Sequence, residues 1–299
     1  MRAGTRIPFA QSAVAGSERI ARRERQWRLS TPTWIILLLA LLFAILAPLY
    51  WMVLVAFRSN ADLFAVPPKM LPSNLDPGVV LRAINDTPIG RWLWNSTLIS
   101  IPTTALSTAL GVPAGYALSR IHSRSTGLFA GGVLVTQMLP PMLLLVPLFV
   151  IFQHVSLINT RVGLILADTA TVLPLSIWMS KAMIDGIPTE IDDAAMVDGC
   201  SPWRTLTLII VPIVRSGLAS VAIYGFIETW NEFLFAKTLL VSSSKWPASI
   251  GLYSFQGQNT TPTNEVMMAA LIFSIPAIIL FFLIRRGLVA GMTAGAVKG

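Results

Sequence analysis

The sequence predicts an all-α polytopic membrane protein with six transmembrane helices, on three observations. The 299 residues are 54% hydrophobic but only 12% charged, about half the charged share of an ordinary soluble domain. The apolar residues fall into blocks long enough to cross a hydrocarbon core, which takes about 20 helical residues at about 1.5 Å each. The basic residues flank these blocks instead of interleaving with aromatics. The net charge of +8 therefore points to a membrane surface and away from nucleic acid.

The first span runs from Trp34 to Phe57 without a charge. Its Ile, Leu and Phe residues favour insertion by on the order of 3 to 6 kcal/mol, and it is much longer than the apolar core of a cleaved signal peptide. The second lies between Arg91 and Arg120, the third from Leu128 to Phe152, the fourth from Arg161 to Lys181, the fifth from Ser216 to Lys237 and the sixth from Val266 to Ile284. Prolines 102, 113, 140, 141, 147, 174 and 276 lie inside these spans. Membrane helices tolerate them because neighbouring groups re-satisfy the backbone. Residues 58–91 carry five prolines, at 67, 68, 72, 77 and 88, and read as an irregular outer loop.

Orientation follows from the cations. With the N-terminus inside, the seven arginines of the tail, Arg120, Arg124, Lys181, Arg204, Arg215, Arg285, Arg286 and Lys298 all fall on the cytoplasmic side. The outer side keeps the smaller set: Arg58, Lys69, Arg82, Arg91, Arg161, Lys237 and Lys245. The positive-inside rule then places both termini in the cytoplasm of a multi-pass cell-membrane protein. The expected layout is a basic cytoplasmic tail (1–30), a transmembrane domain (31–289) and a short C-terminal tail (290–299), with a cytoplasmic loop over 185–212.

That loop differs from the other connections. Pro188 suits a first helical turn, and Glu190, Asp192 and Asp193 complement the positive end of a helix dipole. Gly199 fits the left-handed position after a helix, Ser201 the next N-cap and Pro202 the residue following it. Two short helices joined at a glycine are expected. Ala194 and Ala195 would leave a smooth surface on the first helix, with Met196 and Val197 as apolar contacts, a shape that can press into a groove on another protein.

The run Asp193-Ala-Ala, then Gly199, then Ile209-Ile-Val-Pro212 resembles the EAA loop of ABC importer permeases. Asp193 stands where that family usually has Glu, and Val211 where it usually has Leu. Arg91-Trp-Leu-Trp-Asn-Ser96, Gly115-Tyr-Ala-Leu-Ser-Arg120, Trp230-Asn-Glu-Phe233 and Gly295-Ala-Val-Lys-Gly299 extend the likeness to the MalG-type permeases of carbohydrate importers. The resemblance implies a six-helix permease bundle and a coupling role for Glu190, Asp193, Ala194, Ala195, Met196, Asp198, Gly199, Ile209 and Pro212. It also implies a second MalF-type permease, a dimer of ATPase subunits and an extracytoplasmic solute-binding protein as partners. The implied cargo is a disaccharide, an oligosaccharide or a polyol phosphate. No cofactor is expected on this chain, because ATP and Mg would sit on the partner ATPase. Consistent with that, no Gly-rich phosphate loop is present.

Glu228 and Glu232, four residues apart around Trp230 and Asn231, are expected on one face of the fifth span. Intramembrane charges are costly and usually face a cavity or a partner. They read either as a polar wall of the translocation pathway or as an interhelical or interfacial bond near Lys237, and Asp168 carries the same two readings. His122 and His154 lie at opposite membrane faces, and Cys200 is the single cysteine, so no metal site and no internal disulfide is expected. No nucleophile elbow frames a serine, so the chain reads as non-catalytic. The rival class is a self-sufficient proton-coupled carrier using Glu228, Glu232 or Asp168.

Overall fold

The computed structural model describes residues 31–63, 75–255 and 263–296. The expected basic tail over 1–30 lies outside them. Among the described residues the structure is helical apart from turns and one isolated bridge, Arg58 to Leu75. The chain divides into two units, residues 1–54 and 55–299. The described part of the first is nearly the whole of helix α1 (Thr31–Ala56), which holds no charged residue.

The second unit begins with two short helices, α2 (Asn60–Leu63) and α3 (Val79–Asn85), within the stretch expected to be irregular. Arg82 on α3 pairs with Asp76 at 2.5 Å and with Glu265 at 3.3 Å. Asp76 is held below its ordinary carboxylate range chiefly by its hydrogen bond from Arg82. Glu265 belongs to the last helix, α13 (Thr263–Ala296), so the pair with Arg82 fixes this segment against it.

The frame of the bundle is α4 (Ile89–Arg120) packed along α7 (Arg161–Asp185). At about 1.5 Å per residue, α4 is about 48 Å long and α7 about 38 Å, both longer than a bilayer core of about 30 Å. They run parallel in constant register: Asn95 meets Arg161, Gly111 meets Ser176 and Gly115 meets Ser180. The close approach depends on small residues. A Cβ on Gly115 would sit 2.7 Å from the Lys181 backbone nitrogen and 2.8 Å from the Ser180 Cβ, and Ser107, Ser176 and Ser180 are fully buried along these two helices. Small-residue stripes of this kind allow membrane helices to pack backbone to backbone.

The expected third span is not one helix. It is α5 (Arg124–Met138) followed by α6 (Pro141–His154), bent by 101°. Leu139 and Pro140 are both extended, because a residue before proline is pushed out of the helical region and neither Pro140 nor Pro141 has an N–H to offer. Among the described residues five single helices are long and apolar enough to cross a membrane, and the bent pair is a sixth crossing if counted as one.

The expected fifth span also ends early. After α8 (Glu190–Val197), the chain climbs through α9 (Pro202–Arg204), a π-helical stretch over Thr205–Ile210 and α10 (Val211–Asn231). The N–H of Val211 reaches back five residues to the Leu206 carbonyl. Pro212 has no N–H and its ring crowds the carbonyl four residues before it, which accounts for the wider turn. The helix stops at Asn231, and Glu232 is extended. A new short helix α11 (Leu234–Leu239) follows, then α12 (Ala248–Ser254) and α13. The helix α13 continues to Ala296, through much of the stretch expected as a tail.

Candidate functional site

Two places gather the residues singled out in the sequence: the loop at one end of the bundle, and a cavity between α7 and α10.

At the loop end, α8 starts with Glu190, Asp192 and Asp193 in its first turn. Pro188 precedes the N-cap Thr189, and its carbonyl receives the Ile191 N–H. Gly199 has φ +82°, a left-handed conformation that glycine adopts without a Cβ penalty. The amides of Gly199 and Cys200 close the helix onto the Met196 and Ala195 carbonyls. Ser201 then caps α9 through the Arg204 N–H, with Pro202 as the first helical residue.

The two alanines part company here. Ala194 is exposed but Ala195 is buried, 3% accessible, because adjacent helix positions face about 100° apart. The smooth outer surface therefore belongs to Ala194, with Glu190, Asp193, Met196, Val197, Asp198 and Gly199 exposed around it. Ile209 is half-buried and Pro212 exposed, whereas Leu206 and Ile210 of the same stretch enter an apolar cluster with Val112, Ile184, Ile187 and Val214.

A residue to which the sequence gave no site role holds this loop in place. Asp192 is buried and accepts two hydrogen bonds from the end of α4, from the Tyr116 hydroxyl at 2.6 Å and from Arg120 Nε at 2.9 Å, and a terminal nitrogen of the same guanidinium lies 2.9 Å away in an ion pair. Arg120 also donates to the Ile187 carbonyl at 3.1 Å and to the Ser119 hydroxyl at 3.2 Å. The α4 partners belong to the quoted run Gly115 to Arg120. The tip of α8 is thus free on one face and tied on the other to the longest helix of the frame.

The second place is a cavity of about 430 Å³ lined by residues of α7 and α10 and of the breaks in two spans. Glu228 and Asn231 line it from α10, Asp168 and Thr171 from α7, Gln137 from α5, and Glu232 and Phe233 from the turn into α11. Glu228 and Glu232 share the cavity but not one helix face. Glu232 lies beyond the helix end and caps α11, accepting the Phe235 N–H at 2.7 Å and the Ala236 N–H at 2.9 Å. The sequence gives little signal for this, because glutamate is not among the favoured N-cap residues and the apolar run continues through Phe233 and Leu234. Trp230 faces away. It is 1% accessible, stacked between Phe226 and Phe273, with its indole N–H on the Phe273 carbonyl. Asn231 donates back to the Ile227 carbonyl at 2.8 Å. Asp168 is 1% accessible and neither of its carboxylate oxygens has a hydrogen-bond partner.

The quoted run Arg91 to Ser96 is structural in placement, and the run Gly295 to Gly299 lies partly outside the described residues. Asn95 receives two hydrogen bonds from Arg161 and donates to the Ser244 and Trp246 carbonyls, Ser96 accepts the Ala248 N–H, and the Trp92 ring lies against Gly251. These bonds fasten the segment between α11 and α12 to the top of α4. Among the described residues no group of three or more His, Cys, Asp or Glu side chains comes together to hold a metal.

A family model described as "Binding-protein-dependent transport system inner membrane component" matches residues 107–294. Among curated proteins, the chain is 33% identical over 265 residues to the trehalose/maltose transport system permease protein MalG of Thermococcus litoralis, covering 87% of this chain and 95% of that one. It is 28% identical over 267 residues to the diacetylchitobiose uptake system permease protein DasC of Streptomyces coelicolor, covering 89% and 95%. Among solved structures, a bacterial ABC transporter that imports the acidic polysaccharide alginate contains a chain of the same fold. The TM-score is 0.70 at 21% identity, over 85% of this chain and 94% of that one.

Proposed function

Because the chain belongs to the family of binding-protein-dependent transport system inner membrane components, we propose that it is a non-catalytic permease subunit of an ATP-binding-cassette importer for a sugar. The cargo class, a di- or oligosaccharide or a polyol phosphate, rests on relatives described as permeases for trehalose, maltose and diacetylchitobiose. None of the relatives or structures described is a proton-coupled carrier. The fold alone does not choose the solute, since the alginate importer carries an acidic polysaccharide.

The observation that carries the mechanism is the half-free α8, exposed along Glu190, Asp193 and Met196 and anchored through Asp192 to Tyr116 and Arg120. In this reading α8 seats in a groove of one ATPase subunit, on which ATP and Mg are bound. Closure of the ATPase dimer pulls α8, and the Asp192 anchor passes the displacement to α4 and the bundle. Glu228, Asn231 and Glu232 then wall part of the solute path, Trp230 supports that wall from behind, and a MalF-type permease completes it. A solute-binding protein delivers cargo at the opposite end, where the bundle carries fewer cations, and both termini are cytoplasmic.

The test is uptake of labelled disaccharides into vesicles carrying the chain with its partner subunits, with and without ATP and with a proton uncoupler. The expected result is ATP-dependent, uncoupler-resistant uptake that Gly199→Pro abolishes while the complex still assembles. Uptake by this chain alone, lost on adding the uncoupler, would overturn the importer reading.

A further inference from the structure

Asp168 is the group that no feature of the bundle explains. An ionisable side chain within a membrane span is costly and is ordinarily paired, and an unbonded polar group in a dry interior loses the hydration it had in water without compensation. Asp168 is 1% accessible with both oxygens unpartnered, and it lines the 430 Å³ cavity. Two more carboxylates, Glu228 and Glu232, line the same cavity, and none of the lining residues is Lys, Arg or His. The cations nearest in sequence are engaged elsewhere: Lys237 lies over the Trp246 and Tyr253 rings, at 5.4 and 5.6 Å, and Arg161 is bonded to Asn95.

We propose that this cavity is a solute subsite selecting uncharged, hydroxyl-rich sugars against phosphorylated ones, with the acidic wall of Glu228 and Asp168 setting the preference. The proposal rests on the importer reading and removes the polyol phosphates from its cargo class. The chemistry is one of acceptors. Sugar hydroxyls donate to Glu228, which is exposed on the cavity wall, while the Gln137 amide supplies an N–H and an acceptor on the same wall and Asp168 lies buried behind them. Both oxygens of Glu232 already hold the first amides of α11, so it contributes charge and a fixed edge. A phosphate brought into the cavity would meet carboxylates and no compensating cation. One ionised carboxylate within about 6 Å, at an effective dielectric near 20, weakens anion binding at least about tenfold.

The experiment uses the assembled transporter with Cys200→Ser and Thr171→Cys, which puts a thiol on the cavity wall of this chain. Maleimide labelling of the thiol, read by gel shift, is followed with trehalose and with maltose, each beside its own 6-phosphate. The expected result is protection by a neutral sugar at a concentration at least tenfold below that needed of its phosphate. That gap closes in Asp168→Asn with Glu228→Gln, near-isosteric changes that replace both acids of the wall with amides. Equal protection by a sugar and its phosphate, or a gap that survives the double substitution, would overturn the proposal. So would absence of protection by every sugar while ATP-driven uptake persists, an outcome that leaves the importer reading standing. Loss of ATP dependence in the unsubstituted transporter strikes that reading instead.

Discussion

Asp192→Ala is expected to release the α8 tip from the bundle without unfolding it. The carboxylate accepts one bond from Arg120 Nε within an ion pair and one from the Tyr116 hydroxyl, and the pair is largely buried, with side chains 13% and 10% accessible. Hydrogen bonds to charged groups contribute about 1.5 to 3 kcal/mol each at most, and breaking a buried pair costs about 3 to 5 kcal/mol when it strands its partner. Arg120 is not stranded, since it keeps the Ile187 carbonyl and the Ser119 hydroxyl. The lower end, about 3 kcal/mol, therefore applies, and the undocked population of α8 rises about 150-fold. Hydrogen exchange at the amides of residues 193–197, measured on the assembled transporter, reports that population. A double-mutant cycle with Tyr116→Phe should show coupling of about 0.5 kcal/mol or more. Exchange within fivefold of wild type, or full additivity of the two substitutions, would refute the anchor.

Gly199→Ala meets no atom within 4 Å but must hold φ near +82°, so its cost is backbone strain alone, about 1 to 2 kcal/mol. Asparagine at the same site should recover part of the lost melting temperature. Gly115→Val pushes a branched side chain against the Lys181 and Ile177 backbone, where a Cβ alone would come within 2.9 Å. The yield of monodisperse protein should fall sharply, and Gly111→Ala, where the closest approach is 3.0 Å, should be milder. Glu232→Ala removes the cap of α11 at a cost of about 1 kcal/mol, and faster exchange of the Phe235 and Ala236 amides would register it, with Glu232→Gln intermediate.

The spans were legible because apolar length is a property of composition, which is why α1, α4 and α7 start and stop within a few residues of expectation. The Gly199 turn and the Ser201 cap were legible for a different reason: each is dictated by the backbone needs of one residue. Pro140-Pro141 was visible in the sequence, but single prolines inside spans are tolerated and only the adjacent pair makes the 101° bend. Glu232 was read as a charge within the membrane because the apolar run continues through Phe233 and Leu234, and only the structure shows its oxygens closing a helix start. Ala195, Trp230 and Asp192 were hidden more deeply. Which face of a short helix meets the bundle depends on partners more than 70 residues away, as with Tyr116 and Asp192.

The π-helical stretch over Thr205–Ile210 separates two angular settings within one rod. A π turn carries an additional residue, so everything below it is rotated by about 100° relative to an uninterrupted α-helix. The face that α9 presents is consequently decoupled from the face that α10 presents along the span. Removing a single residue from this stretch would restore α-helical winding and swing the loop end by about a quarter turn while the span kept its register. The length of these six residues, as much as their identity, is what aims the exposed tip.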